Sequence, residues 1–595
     1  MEQSLPGTPI VRLKSAISEF ASNRERRAGA WLLGGGVALV LFKLWLVSAQ
    51  TIFAIGFADY DDALFIRLAN FLAHGEWLGP YDHFTLAKSP MYPLFIAATY
   101  LVHVPLFTAQ QLLYAAACGW LVAAVRPLVP NRPLRFGLFA VLLFNPVTYD
   151  TIIHARVLRQ DIIYSLALII VAGLIALYAR RASAPRMLPW SLLTGAALPA
   201  FWMTREEAVW LLPCVLILWT AAAVGAWRVG ASNLAGRLAC LVLPGLMWGA
   251  ALAVVAGINF RYYGLFTTCE LKHPAMKAAN GALMRVEPVQ WKPFMPVSRE
   301  MRERLYHVSP AFAALQSEFE GPIGQGWAGI TEFLTHRPAE EHEIAGAWFT
   351  WALRRAVYDT GHAHNGAEAM AFYRQLAHEI NDACDRGLVK AGPPRTGYVP
   401  PISREQWTML PSSLVRMFRE IITFYRMSTV PVSPSLGNPQ NLGLFAKLSR
   451  GRLTPPSEGA PVPPRQRRWD QLRTDILRGI YQVYHWASPW AGGLALIAWF
   501  TAAAINLWRR QWGSYFGFVG VGLLGAILAL SGIIALIDVT AFPVAETGYF
   551  SGSYALWLLF MFSSWFALTE VLRVRPARAN AVAVEPASVG KGLGW

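Results

Sequence analysis

The sequence predicts an α-helical polytopic membrane protein that carries a mainly α extracytoplasmic domain. Three observations lead to that class. Of 595 residues, 55% are hydrophobic and only 15% charged, with a mean hydropathy of +0.35, which is a membrane composition. Apolar runs near the ~20 residues that span a bilayer recur along the chain. Basic and acidic residues then sort into alternate connections between those runs.

The first run, 29–50, is too long for a secretory signal and lacks a small-residue cleavage site, so it reads as a retained anchor behind a cytoplasmic segment, 1–28. Further runs lie at 109–125, 136–148, 160–179, 188–203, 206–227, 238–258, 487–507, 514–537 and 551–572. A shorter one, 90–107, begins SPMYP and contains Pro93, His103 and Pro105. It reads as a re-entrant or in-plane element shielded by protein. Basic clusters sit at Arg24, Arg26 and Arg27, at Arg126, Arg132 and Arg135, and at Arg180, Arg181 and Arg186. Others are Arg228 with Arg237, Arg509 with Arg510, and Arg573, Arg575 and Arg578. Placing all of them in the cytoplasm gives ten crossings with both termini inside, and 574–595 as a cytoplasmic tail. The net charge of +16 is then the positive-inside bias and not a nucleic-acid footprint.

The acids test this arrangement separately. Twenty of 36 fall between 259 and 486, and most of the others lie in or beside the remaining outer loops, where charge need not enter lipid. The 259–486 segment reads as a soluble extracytoplasmic domain with helical patterns in SREMRERLYHVSPAFAALQSEFEG, EEHEIAGAWFTWALRRAVYDTG, NGAEAMAFYRQLAHEINDACDRG and SREQWTMLPSSLVRMFREIITFYR. PPRTGYVPP and TPPSEGAPVPPRQRR read as linkers or surface loops. Cys118, Cys214 and Cys240 fall in apolar runs, whereas Cys269 and Cys384 share the outer segment, where a disulfide is one option.

Most of the unusual chemistry lies in 57–93, FADYDDALFIRLANFLAHGEWLGPYDHFTLAKSPMYP. Leu64, Phe65, Leu68, Phe71 and Leu72 recur at helical spacing, with Arg67, Asn70 and His74 on the other side. That pattern predicts a short amphipathic helix at the membrane surface, capped by Asp61 or Asp62 and closed at Gly75. One aspartate suffices for a cap, yet Asp59, Asp61 and Asp62 crowd four positions. Like charges so placed suit a general base or a metal site unless cations compensate them.

The loop 51–108 that contains this stretch resembles the first external loop of the GT-C glycosyltransferases, which take sugars from polyprenyl-phosphate carriers. It is most similar to the branch of protein O-mannosyltransferases and lipid A aminoarabinose transferases. The likeness rests on Asp61-Asp62, the helix ALFIRLANFLAHG, the turn Gly75-Glu76-Trp77-Leu78-Gly79-Pro80, and Lys88-Ser89-Pro90. Two departures are Asp-Asp where the branch often has Asp-Glu, and Ser89 in place of a proline. RVLRQDIIYSLALIIVAGL offers Asp161 where the family carries a second acid, and TGAALPAFWMTREEAVWLLP offers Arg205, Glu206 and Glu207. The resemblance covers roughly 29–258, less clearly the helices of 487–573, and not 259–486.

The resemblance implies a GT-C-like transmembrane bundle in the cytoplasmic (inner) membrane with its site on the extracytoplasmic face. The partners it implies are a polyprenyl-phosphate sugar donor (undecaprenyl phosphate in a bacterium), an extracytoplasmic acceptor (glycan, lipid or protein) and the bilayer, with no nucleic acid. Asp61, Asp62 and Asp161 are the catalytic candidates, since a carboxylate can take the proton of a weak nucleophile. Lys88, Arg159 and Arg205 are candidates for holding the donor phosphate. Asp59, Arg156, Glu206 and Glu207 are further site candidates. No cofactor is expected to be required, with Mg or Mn as the alternative at the aspartates.

Plainer readings stand beside these. Lys88 can snorkel at the interface, Asp161 can cap its helix, and Arg205 can pair with Glu206 or Glu207 to brace a hairpin. His362 and His364 in GHAHNG fit a polar turn as well as a metal pair. A lipid-linked sugar transporter or a non-catalytic membrane binding protein would share the polytopic form, though no paired repeat or mid-membrane charge is evident.

Overall fold

A helix that is apolar all round belongs at the centre of a bundle, and the run at 160–179 is of that kind. The computed structural model describes residues 32–430, 433–455, 464–510, 514–544 and 547–573. Its membrane-side helices in the first half are α1 (Leu32–Val47), α2 (Asp62–Ala73), α3 (Met91–Leu101), α4 (Leu106–Val125), α5 (Arg132–Leu143), α6 (Gln160–Ala179), α7 (Ala184–Trp202), α8 (Leu212–Arg228) and α9 (Leu234–Tyr263). There follow α10 (Pro274–Arg285), α11 (Arg299–Val308), α12 (Pro310–Ala313), α13 (Gln316–Glu320), α14 (Pro322–Thr335), α15 (Gly346–Asp359), α16 (Gly366–Asp385), α17 (Arg404–Thr423) and α18 (Pro439–Ser449). The chain ends in α19 (Pro464–Trp508), α20 (Tyr515–Thr540) and α21 (Ser551–Arg573).

The protein is an α-helical polytopic membrane protein. Seven of the described helices are long and apolar enough to cross a membrane: α4, α6, α8, α9, α19, α20 and α21. The expected crossings at 29–50, 136–148 and 188–203 are also helical, as α1, α5 and α7, but do not reach that length or apolarity. The 90–107 run is broken into the short α3 and the start of α4. At 1.5 Å per residue, eleven-residue α3 is about 16 Å long, half a hydrocarbon core.

As expected of its composition, α6 is buried along almost its whole length and packs against α4, α7, α8 and α21. The up-and-down order puts the described basic clusters at one end of the bundle, beyond the C-termini of α4, α6, α8, α19 and α21. Arg24, Arg26, Arg27, Arg575 and Arg578 lie outside the described residues, as do the segments 1–28 and 574–595.

The 259–486 segment contributes to two cores. Residues from Tyr263 to Val389 build one of their own, into which loop residues Leu64, Leu68, Leu78, Leu86 and Ala87 insert. By contrast, Met417, Ile421, Phe424, Phe445 and Leu448 belong to the core of the membrane helices. α17 opens on a Ser403/Gln406 capping box. It is pinned to the end of α20, where Gln406 donates to the Val539 carbonyl at 2.8 Å and Arg416 pairs with Asp538 at 2.5 Å. Position 486 falls inside the unbroken α19, and the last residues of TPPSEGAPVPPRQRR are its first turn, while 456–463 lie outside the described residues.

Periodicity found α11 to α13 and α15 to α17 but passed over α10, α14 and α18. Cys269 and Cys384 are free buried thiols. The His362 ring stacks on Phe372, and Asn365 caps α16 beside His364, so GHAHNG is a polar turn. Among the described residues no group of three or more His, Cys, Asp or Glu is placed to hold a metal ion.

The candidate active site

α2 carries the acidic stretch, and its setting differs from the expected surface helix. Phe65, Ile66 and Ala69 face the core of the membrane helices, whereas Leu64 and Leu68 face the second core, built by residues from Tyr263 to Val389. The helix is therefore wedged between two apolar bodies. On its polar side Arg67 is drawn to Asp82. The backbone ahead of it is stitched to the chain's later half, with Leu436 N donating to Ala54 O at 2.8 Å and Thr454 N to Ile52 O at 2.7 Å.

Behind α2, Gly75 takes a φ of 82° and ends the helix, as expected of a C-terminal glycine. Gly79 in the Trp-Leu-Gly-Pro turn has a φ of 79°, and a Cβ there would lie 2.5 Å from the Phe71 ring. Trp77 donates to Asn259 at 2.7 Å and the Tyr263 hydroxyl to the Gly79 carbonyl at 2.8 Å, fixing the turn to the end of α9. Gly79→Ala is expected to cost about 1–3 kcal/mol through strain and overlap, read as a lowered midpoint of thermal unfolding in detergent.

The three aspartates do not cap the helix. Asp61 occupies the N-cap position without a side-chain bond to the backbone. Its carboxylate accepts from Lys88 Nζ at 2.6 Å. Asp62 is fully buried and is gripped by Arg156 through Nη2 at 2.8 Å and Nε at 3.2 Å. Asp59 lies toward Arg355 and Arg67, whose charges oppose the upward shift that burial gives its pKa. Separate cations thus answer the carboxylates of the cluster, although the Asp61 charge still adds to the upward shift of the Asp62 pKa.

The pairings divide the labour between neighbours. Asp61 is 52% exposed, so it feels surrounding protein without being sealed by it. Burial raises its pKa, but the positive charges of Lys88, Arg156 and Arg159 outweigh that and leave it below the usual carboxylate range. Burial pushes Asp62 up to about 6 despite Arg156. Lys88 is almost fully buried and also donates to the Tyr60 carbonyl, which is not a snorkelling geometry. An ammonium has three donors, so one N–H remains beyond these two contacts.

Arg159 reaches the same place from the loop before α6. Its guanidinium lies 5.3 Å from the Phe65 ring centroid and Lys88 Nζ lies 5.1 Å from it. Arg159 bonds Glu206 at 2.7 Å, and Glu206 faces the backbone N–H of Ser89 at 3.4 Å. Glu207 turns to Arg205 at 3.2 Å, and although burial opposes it, the Arg205 and Arg159 charges hold Glu207 at about 2. Arg205 is therefore tied in an ion pair at the hairpin.

Asp161 is not brought to this place. It lies in the first turn of α6, does not cap the helix, and is sealed from solvent. One oxygen meets His154 Nδ1 at 2.8 Å and the Tyr164 hydroxyl at 2.5 Å. The His154 partner was not recognised in the sequence, although seven residues separate the two.

Asp61 and Lys88 border a cavity of about 480 Å³ between the loop and helices α14 and α15, within the usual range for ligand sites. Tyr60, Trp327, Trp348, Trp351, Asp59 and Arg355 line it. The Tyr60 ring stacks on Trp351 at 5.0 Å and lies 5.8 Å from Trp327. The wall residues from α14 and α15 were missed in the sequence. A usable signal existed, since Trp348, Trp351 and Arg355 are spaced three and four apart on one helix face.

Arg354, on the same helix, anchors the loop. It pairs with Glu270 at 2.9 Å with both groups buried, and donates to the carbonyls of His83 and, at 2.8 Å, Thr85.

No family model and no curated protein matches the chain. Among solved structures it is similar to two crystal structures of ArnT from Cupriavidus metallidurans, one in the apo state and one bound to undecaprenyl phosphate. Each has a TM-score of 0.31, with 14% and 13% sequence identity, over 92% of this chain and 78% of the other. ArnT is a lipid A aminoarabinose transferase, from the branch that the loop motifs resemble. A likeness of that degree carries no argument about the site, which rests on its own geometry.

Proposed function

We propose that the protein is an integral membrane glycosyltransferase that moves a sugar from a polyprenyl-phosphate carrier to an extracytoplasmic acceptor. The observation that carries this reading is Asp61, ion-paired to a buried Lys88 on the border of an aromatic cavity. It is supported by the ordered motifs from Asp61 to Glu207 that resemble the GT-C enzymes.

In this reading the acceptor oxygen attacks the anomeric carbon while the bond from that carbon to the phosphate oxygen breaks. The phosphate leaves with the electron pair, and Asp61 takes the acceptor's proton. A single displacement inverts the anomeric configuration. The remaining N–H of Lys88 meets the departing phosphate, with Arg159, which also lies against Phe65, adding positive potential. Asp62 and Arg156 hold the start of α2 in place. Tryptophan faces suit the apolar faces of a pyranose ring.

The test is consumption of a panel of polyprenyl-phosphate sugars by the purified protein, with appearance of a new glycoconjugate. Binding of donor without consumption by folded protein would shift the assignment to a lipid-linked sugar transporter or binding protein.

The two aspartates also make different pH profiles. A base at Asp61, whose pKa is depressed, keeps its charge as pH falls and loses it only below the ordinary carboxylate value of about 4. The acid limb of kcat/KM is therefore expected below about 4. A limb near 6 would assign the base to Asp62, whose pKa is about 6.

A further inference from the structure

At the end of the bundle away from Asp61, α1, α4 and α5 leave a groove of about 720 Å³ between them. Its walls are apolar, among them Val37, Leu41, Leu112 and Phe139. Arg126, Arg132 and Arg135 line the same groove, and no carboxylate is among its lining residues within the described part of the chain. All three arginines lie at or just beyond the C-terminus of α4 and in the first turn of α5. The groove therefore has one strongly cationic end and one apolar length.

Its dimensions select the occupant. The lining stretch of α1 runs from Leu32 to Leu44, about 18 Å of helix, against about 15 Å of hydrocarbon in one leaflet. That length suits the acyl chains of a lipid anchored in one leaflet and is short for an extended polyprenyl chain. Three guanidiniums at the headgroup level suit a phosphodiester, because Arg binds phosphate through two parallel donors. Leu33, Val37 and Leu41 are exposed in the structure, as the wall of a lipid-facing groove would be.

We propose that this groove is a binding site for an anionic diacyl phospholipid, separate from the Asp61 site and at the other end of the bundle. The lipid's phosphate meets the arginines, and its chains lie along α1 and α4. A zwitterionic lipid with the same chains lacks the net negative charge that a cationic end attracts, so the site discriminates by headgroup.

The full-length protein in detergent would be titrated with dioleoyl phosphatidylglycerol, dioleoyl phosphatidylcholine and undecaprenyl phosphate, with bound lipid counted by native mass spectrometry. Phosphatidylglycerol is expected to bind in preference to phosphatidylcholine. Its affinity should fall about 25-fold in Arg126→Gln/Arg135→Gln, roughly fivefold for each arginine. Lys88→Ala should leave phosphatidylglycerol binding unchanged. Equal binding of the two phospholipids, or an unchanged affinity in the double variant, would overturn the proposal, as would loss of phosphatidylglycerol in Lys88→Ala. If the double variant does not fold, Gly119→Leu serves instead. A Cβ at Gly119, which lines the groove, meets no atom within 4 Å, so the added side chain starts into open space and takes volume from the lipid. Unweakened phosphatidylglycerol binding in that variant would also overturn the assignment.

Discussion

Asp61→Asn is expected to lower the rate of sugar transfer by about 100-fold to 10,000-fold, the usual contribution of a positioned general base. The asparagine keeps an acceptor for Lys88 and the α2 start keeps its Asp62–Arg156 clamp. The thermal midpoint should therefore move little, the lost charge assistance being worth about 1 kcal/mol or less beyond a neutral hydrogen bond. The fall belongs in kcat, because the proton moves only in the transition state. Asp62→Asn is the informative contrast. It weakens a buried pairing with Arg156, so stability should fall along with any activity. A rate unchanged by Asp61→Asn, in protein that turns over a polyprenyl-phosphate sugar, would remove Asp61 from the mechanism.

The second large effect is expected from Arg354→Ala. The guanidinium joins α15 to Glu270 and to the carbonyls of His83 and Thr85, and both members of the ion pair are almost wholly buried. Truncation leaves the Glu270 carboxylate inside the protein with the Tyr81 hydroxyl at 2.8 Å. Breaking a buried pair in this way typically costs about 3–5 kcal/mol. It also frees the loop three residues ahead of Lys88. The unfolding midpoint should drop and limited proteolysis should open between 81 and 88. An unaltered midpoint would mean that the loop is held without the Arg354 anchor, by its apolar insertions and its other hydrogen bonds.

What the sequence disclosed follows from the range of each interaction. Long apolar runs declare themselves locally, so α4, α6, α8, α9, α20 and α21 were legible to within a few residues. Amphipathic spacing placed α2, but spacing cannot tell a bilayer from a second protein core, and the helix has Phe65 against one body and Leu64 against another. The clustered aspartates were visible, whereas their cations were not. Lys88 and Arg156 stand 27 and 94 residues from their partners, and nothing in a linear pattern assigns Arg156 to Asp62 in preference to Asp61. Asp161 looked equivalent to the others until its setting showed it closed off by His154 and Tyr164. The aromatic wall lay in a segment that the resemblance does not cover, and α14, rich in glycine, gave no clear periodic signal.

The wedged setting of α2 bears on how the molecule comes into being. Asp61 precedes Trp351 by 290 residues, about 15–60 s of ribosomal synthesis at common elongation rates. During that interval the aspartates have been made but one wall of the cavity has not. The Leu64 and Leu68 face of α2 lacks most of its cover until residues after Tyr263 have folded. The stitch to Ala54 waits for Leu436. Completion of the site is thus tied to completion of the chain, and a nascent or prematurely released copy holds the acids without the chamber that gives them a purpose.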